Sequence, residues 1–131
     1  QATIRKRIEF VTHFIKILEQ RSKFYRAYEF SDNFSPFFHP IFVNAEALTC
    51  TKVEFAEALS AEGIGVNSHY GCVISAWEFA KPHMSDSFFA ANAMQMRDTS
   101  FNLFLHEAYA EKEATDIVDA IVKLERYYKA C

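Results

Sequence analysis

The sequence predicts an α+β fold, a two-layer α/β sandwich in which helices pack on one face of a small antiparallel or mixed sheet of three to four strands. Two stretches with apolar residues three and four positions apart, residues 2–20 and 110–130, predict long helices at the two ends of the chain. Runs rich in aromatic and β-branched residues lie between them and predict strands. The order helix, two strands, helix, strand, short helices, strand, helix fits one sheet covered by helices.

Composition favours one domain with a full apolar core. Of the 131 residues, 50% are hydrophobic and 16% aromatic, and fourteen are Phe. We therefore predict a single domain over residues 1–131. Either all of these aromatic residues belong to the core, or some of them face a partner. The sequence is compatible with both interpretations.

Charge and hydropathy argue against nucleic acid and membrane partners. The net charge is −3, and acidic residues soon follow the densest basic run, Arg5–Arg7. No apolar run approaches the ~20 residues that span a bilayer, and no signal-peptide pattern is seen. The three Cys residues lack Cys-x-x-Cys spacing, which is typical of free thiols in a reducing compartment, so we expect a cytoplasmic protein.

The first helix has an unusually wide apolar stripe. Such a stripe predicts a helix that packs on more than one surface, or one that bridges two domains. Its members are Ile4, Ile8, Val11, Ile15 and Leu18, widened by Phe10, Phe14 and Ile17.

Two strands are predicted next, over residues 23–30 and Pro36–Asn44. The prolines in the second strand cannot donate ladder hydrogen bonds, so the start of this strand is predicted to lie at an edge or a bulge. Thr51 and Glu54 then have the spacing of a capping box, and Gly63 takes the left-handed position that ends the helix behind them.

The segment "IGVNSHY" (64–70) predicts the third strand, with Asn67 and His69 on one face. Residues 72–98 predict a loop with short helices, and Ser100–Ala108 predicts the last strand. The final helix has an acidic first turn and a basic last turn, as the helix dipole favours. Its apolar stripe comprises Ala114, Ile117, Val118, Ile121, Leu124 and Tyr128.

No single motif in the chain identifies an active site. Gly63 and Gly65 follow a helix and precede a strand, whereas a phosphate-binding loop needs the opposite order. Ser68 and His69 are strand neighbours, so their side chains would point to opposite faces. A metal site made of His69, His83 and His106 is an alternative that strand ends and loops could bring together.

Three segments carry a resemblance to a known family. They are "FHPIFVN" (38–44), "TKVEFAEALSAEGIGVNSHY" (51–70) and the stretch "FFAANAMQMRD…AIVKLERYY" (88–128). Their order and spacing resemble the C-terminal small domain of the DegT/DnrJ/EryC1/StrS aminotransferases over nearly the whole chain. In this resemblance, residues 1–20 are the helix that connects the large and small domains, and residues 21–131 are the sheet-and-helix body.

Members of this family are fold-type-I enzymes that use pyridoxal phosphate, and many act on nucleotide-linked keto-sugars or aminocyclitol precursors. In the family the large domain supplies the aldimine lysine, the aspartate beside the pyridine nitrogen and the phosphate-binding residues. The resemblance therefore implies no catalytic, cofactor-binding or metal-binding residue in this chain, and no transamination by the chain alone. The expected partner is the missing large domain.

The resemblance places Asn67, His69 and Tyr70 on the substrate side of the cleft over which the small domain closes. An equal alternative is that His69 and Tyr70 merely end a strand. The segments "GCVISAWEFAKPH" (71–83) and "FNLFLHEAY" (101–109) depart from the family pattern, which implies a divergent branch. A second hypothesis is a free-standing interaction module that keeps the fold, loses the chemistry and self-associates.

Overall fold

The computed structural model describes residues 2–26, 34–85 and 88–130. The described part contains the helices α1 (Ala2–Arg21), α2 (Lys52–Ala61), α3 (Ala91–Thr99) and α4 (Glu111–Tyr128). Its strands are β1 (Tyr25–Arg26), β2 (Phe38–Val43), β3 (Val66–Asn67) and β4 (Ser100–Phe104). Short 3₁₀ helices cover Ala45–Ala47, Ile74–Ala76 and Glu78–His83.

The strands form one antiparallel sheet in the order β1-β2-β4-β3, which confirms the predicted α+β class. In the register of β2 and β4, Ile41 lies opposite Phe101 and Pro40 opposite Asn102. The described part of β1 pairs with Val43 and Phe42 of β2.

Alternation along β2 and β4 divides the molecule into two faces. Ile41, Val43, Phe101 and Leu103 belong to the apolar core that the sheet shares with α1, α2 and α4. The expectation of helices on one face thus holds for the three longer helices. The short helix α3 lies near β2 and β4 on the opposite face.

Helix α1 confirms the helix predicted at residues 2–20 and packs along α4. Its most buried residues are Phe10, Val11, Phe14 and Leu18. Ile4, which the pattern places on the same stripe, is 41% exposed because the N-terminal turn lies at the edge of the core. At the other end an ion pair of 2.6 Å joins Arg21 to Asp119 of α4.

Helix α2 begins and ends as the sequence predicts. The Thr51 amide donates to Glu54 Oε2 at 2.8 Å, and the Glu54 amide donates to Thr51 Oγ1 at 3.2 Å, which completes the capping box. Gly63 follows the helix with a φ of 89°, in the left-handed region that favours glycine.

The strand predicted at residues 64–70 is shorter than expected, since only Val66–Asn67 pair with β4. The Asn67 side chain accepts a hydrogen bond from the His69 amide at 3.0 Å, and this local turn takes the chain away from the sheet. The prediction that Asn67 and His69 share one strand face is therefore wrong.

The last strand also ends early, at Phe104 instead of residue 108. The Ala108 amide donates to His106 Nδ1 at 3.1 Å, and a turn forms over residues 106–109. For the strand predicted at residues 23–30, pairing is seen at Tyr25–Arg26, and residues 27–30 lie outside the described residues.

Helix α4 confirms the final predicted helix and its stripe. Residues Ala114, Ile117, Val118, Ile121 and Leu124 are buried, and Tyr128 is half-buried. Across the ranges that the structure describes, no helix combines the length and apolar character needed to cross a membrane.

Candidate functional site

An open groove of about 620 Å³ lies on the sheet face that α1, α2 and α4 leave uncovered. Its walls are almost entirely apolar, and its volume falls within the ~300–1,000 Å³ that is usual for small-molecule sites. Four parts of the chain line it: the sheet, the loop that follows β3, α3, and the segment before α3 with Met84, Phe88 and Ala90.

The floor consists of side chains that alternate with the core residues of β2 and β4. Phe38 and Pro40 come from β2, and Ser100 and Asn102 from β4. Since neighbouring residues of a strand point to opposite faces, the burial of Phe101 and Leu103 in the core dictates this placement.

One wall is α3, which contributes Ala93, Met96 and Arg97. Lys52 of α2 fixes the end of this helix, because its Nζ donates to the Arg97 carbonyl at 2.6 Å and the Ser100 carbonyl at 2.8 Å. Burial lowers the pKa of Lys52, but the ammonium group is held by the carbonyl groups that a helix end leaves without partners.

The opposite wall is the loop from Tyr70 to Ser75. The Tyr70 ring lies against Phe38, with ring centroids 5.5 Å apart and planes tilted by 47°. A hydrogen bond of 3.0 Å from Trp77 Nε1 to the Gly71 carbonyl braces this loop from behind.

Charged groups gather at the end of the groove near α3. Arg97 Nε donates to Asp98 Oδ1 at 2.8 Å, and this bond lowers the pKa of Asp98. The charges of Arg97, Lys52 and His69 lower it further. Of these groups Arg97 lines the groove itself, and its partner Asp98 lies next to it in the sequence.

The three residues predicted on the substrate side are adjacent but have different environments. Tyr70 lines the groove and is 37% exposed. Asn67 lies half-buried opposite Asn102 in the β3–β4 register, and His69 is exposed at the turn between them. The structure therefore brings Tyr70 into the groove and leaves Asn67 and His69 at its margin.

The free thiols expected from the sequence are found for Cys50 and Cys72, while Cys131 lies outside the described residues. Cys72 is exposed beside the groove. The electrostatic interaction with Cys72, together with burial and a hydrogen bond between the two side chains, raises the pKa of Tyr70.

The hypothetical metal site of His69, His83 and His106 is wrong. Within residues 2–26, 34–85 and 88–130, no group of three or more His, Cys, Asp or Glu side chains could hold a metal ion. The His106 side chain instead accepts a hydrogen bond from the Ala108 amide, and His83 lies exposed on a 3₁₀ helix.

Sequence reasoning missed Asn102, Phe38 and Met96 as groove residues. The pattern "SFNLF" does contain a signal, because Ser100 and Asn102 alternate with two large apolar residues and indicate a polar position on the second sheet face.

Comparison with protein-family models gives no match, and comparison with curated proteins gives none either. Solved structures do match. PseC of Helicobacter pylori, an aminotransferase involved in the biosynthesis of pseudoaminic acid, matches with a TM-score of 0.75 at 16% identity, covering 95% of this chain and 33% of its own.

Two further aminotransferases match similarly. An aminotransferase from Psychrobacter cryohalolentis matches with a TM-score of 0.69 at 16% identity over 93% of this chain and 35% of its own. The apo form of Spr1654 from Streptococcus pneumoniae, assigned as a sugar aminotransferase, matches with a TM-score of 0.71 at 14% identity over 95% and 31%. The chain thus has the fold of about one third of these proteins.

Proposed function

We propose that the chain is the small domain of a pyridoxal-phosphate aminotransferase of the DegT/DnrJ/EryC1/StrS type, which acts on an amino-sugar or aminocyclitol precursor and closes over the cofactor cleft. The observation that carries this proposal is the fold match over 95% of this chain to one third of PseC. The motifs at residues 38–44, 51–70 and 88–128 support the same family independently of the fold.

The positions of the lysines support a cofactor site that lies in another domain. A pyridoxal-phosphate site needs a lysine that is free to bind the cofactor, whose ring then acts as an electron sink. Lys52, the buried lysine, has its Nζ between two carbonyl oxygens. The remaining lysines, at positions 6, 16, 23, 81, 112, 123 and 129, are exposed. These residues do not fit a complete cofactor site, so in this proposal the missing large domain holds the cofactor.

Residues 1–20, which include nearly all of helix α1, are the proposed connection to the large domain, and residues 21–131 are the body. Arg7 ties the helix to the body through Glu107 at 3.4 Å and the Pro36 carbonyl at 3.5 Å. In the assembled enzyme, Asn67, His69 and Tyr70 would approach the substrate, since they lie together where the chain leaves β3.

A free-standing, self-associating module is the second candidate. Exposed aromatic side chains favour it, because Phe37, Phe79 and Phe89 are 77%, 72% and 69% exposed. Both candidates predict a chain without transaminase activity of its own, but they differ in what covers these side chains: a large domain in the first case and a second copy in the other.

Trapping with pyridoxal phosphate and borohydride tests whether the chain carries a cofactor site. We expect slow, substoichiometric labelling spread over exposed lysines, no distinct Schiff-base absorption band and no label on Lys52. One stoichiometric adduct on a single lysine would overturn the proposal. Sedimentation of the same sample separates the two candidates, since a concentration-independent dimer would favour the self-associating module and a monomer the small domain.

A further inference from the structure

The floor of the groove contains a polar side chain. Asn102 is 5% exposed as a residue and lines the groove, so its carboxamide faces the space that a ligand would fill. A polar group placed in an apolar site usually fixes the orientation of a bound molecule through a hydrogen bond. The position of Asn102 therefore fits a group that binds a ligand.

A cation lines the same groove. The Arg97 side chain is 18% exposed, and only its Nε is bonded, to Asp98. Its terminal N–H groups make no hydrogen bond in the described ranges. Because Lys52 holds the carbonyl groups of both Arg97 and Ser100, the end of α3 lies beside β4, two residues before Asn102. A guanidinium and a carboxamide thus border one apolar cavity.

We infer that the groove binds a small amphiphilic carboxylic acid, with its aliphatic or aromatic body against Phe38, Tyr70 and Met96 and its carboxylate at Asn102 and Arg97. The Asn102 carboxamide N–H groups and the Arg97 guanidinium both donate, and a carboxylate accepts without needing a donor of its own. A neutral apolar ligand would leave both donors without an acceptor. This binding site does not depend on the proposed aminotransferase parentage.

Cys72 provides a local readout of occupancy, because its thiol is exposed beside the groove. Cys50 lies outside the groove and is half-buried, which makes it an internal control. The probe is decanoic acid, at concentrations below the onset of micelles, with decan-1-ol as the uncharged comparison. The rate of alkylation of each thiol is measured by peptide mass spectrometry as the probe is titrated.

We expect decanoic acid to protect Cys72 saturably and to leave the alkylation of Cys50 unchanged. Half-protection by decan-1-ol should need a concentration at least about tenfold higher than half-protection by decanoic acid. A tenfold difference is the scale of one hydrogen bond to a charged group. Asn102→Leu and Arg97→Met should each shift half-protection by decanoic acid about tenfold upward. Arg126→Met, an exposed change on α4, should leave it unchanged.

The inference would be overturned by the absence of protection, by equal protection with acid and alcohol, or by equal affinity in the two groove variants and the control. Faster alkylation of both cysteines on addition of decanoic acid would show that the acid unfolds the chain and does not occupy the groove. Circular dichroism of each variant checks that a loss of protection does not reflect a loss of fold.

Discussion

The buried histidine of β2 makes the stability of the fold depend on pH. His39 is fully buried, and its ring lies edge-on to Phe14 with centroids 5.8 Å apart. Burial lowers its pKa from 6.5 to about 4. The unfolded chain therefore takes up a proton at a higher pH than the folded one, and the folded state loses stability as the pH falls from about 6.5 towards 4.

The magnitude follows from this difference in pKa. Between pH 7.5 and pH 5.0 the loss attributable to His39 is about 2 kcal/mol, and below pH 4 it approaches about 3 kcal/mol. Glu125 acts in the opposite direction, since burial raises its pKa and the folded state then gains protons first as the pH falls. The pH dependence must therefore be compared between variants.

The assay is urea unfolding of the wild type, His39→Gln and His83→Gln at pH 7.5 and pH 5.0. His83 is exposed and serves as the matched control. We expect the wild type and His83→Gln to lose about 2 kcal/mol more than His39→Gln over this interval. Equal losses in all three proteins would refute the claim that His39 is neutral and desolvated in the fold.

Three further predictions concern stability. Lys52→Met should lower the free energy of unfolding by about 2–3 kcal/mol and speed amide exchange in α3, because two carbonyl groups lose a charged donor; an unchanged exchange rate would contradict this role. Gly63→Ala should cost about 1 kcal/mol in urea unfolding because of the φ of 89°, whereas Gly71→Ala, with no atom within 4 Å of a new Cβ, should cost much less. Asn102→Leu should leave the free energy of unfolding within about 1 kcal/mol of the wild type, because an apolar group of similar size replaces a carboxamide that lines the open groove; a marked loss would show that Asn102 is structural.

Local patterns predicted the helices and their ends well. In residues 2–20 and 110–130, apolar residues three and four positions apart directly indicate one face of a helix. The capping box at Thr51 depends only on residues within one helical turn. The strands were less predictable. The ends of the strands depend on turns, such as the one closed by the hydrogen bond from the His69 amide to Asn67. This bond competes with strand pairing, and the alternation of apolar and polar residues does not reveal it.

The candidate site could be predicted only in part from the sequence. Tyr70 was among the predicted residues, but the groove also needs Phe38, Met96 and Asn102, which come from distant parts of the chain. Their proximity follows from the pairing of β2 with β4 and from the Lys52 bonds that hold α3, and neither leaves a periodic signal in the sequence. The burial of His39 likewise depends on α1 packing over β2.

The most direct test of the central claim is a transaminase assay on the gene product that contains these residues in its source. We predict a chain of which residues 1–131 form about a third, as in the matched structures, with a cofactor absorption band and amino transfer to a nucleotide-linked keto-sugar or a related precursor. We also predict that Tyr70→Phe changes the KM for that substrate more than the kcat. A gene product confined to these residues, with no cofactor and no transfer, would contradict the account.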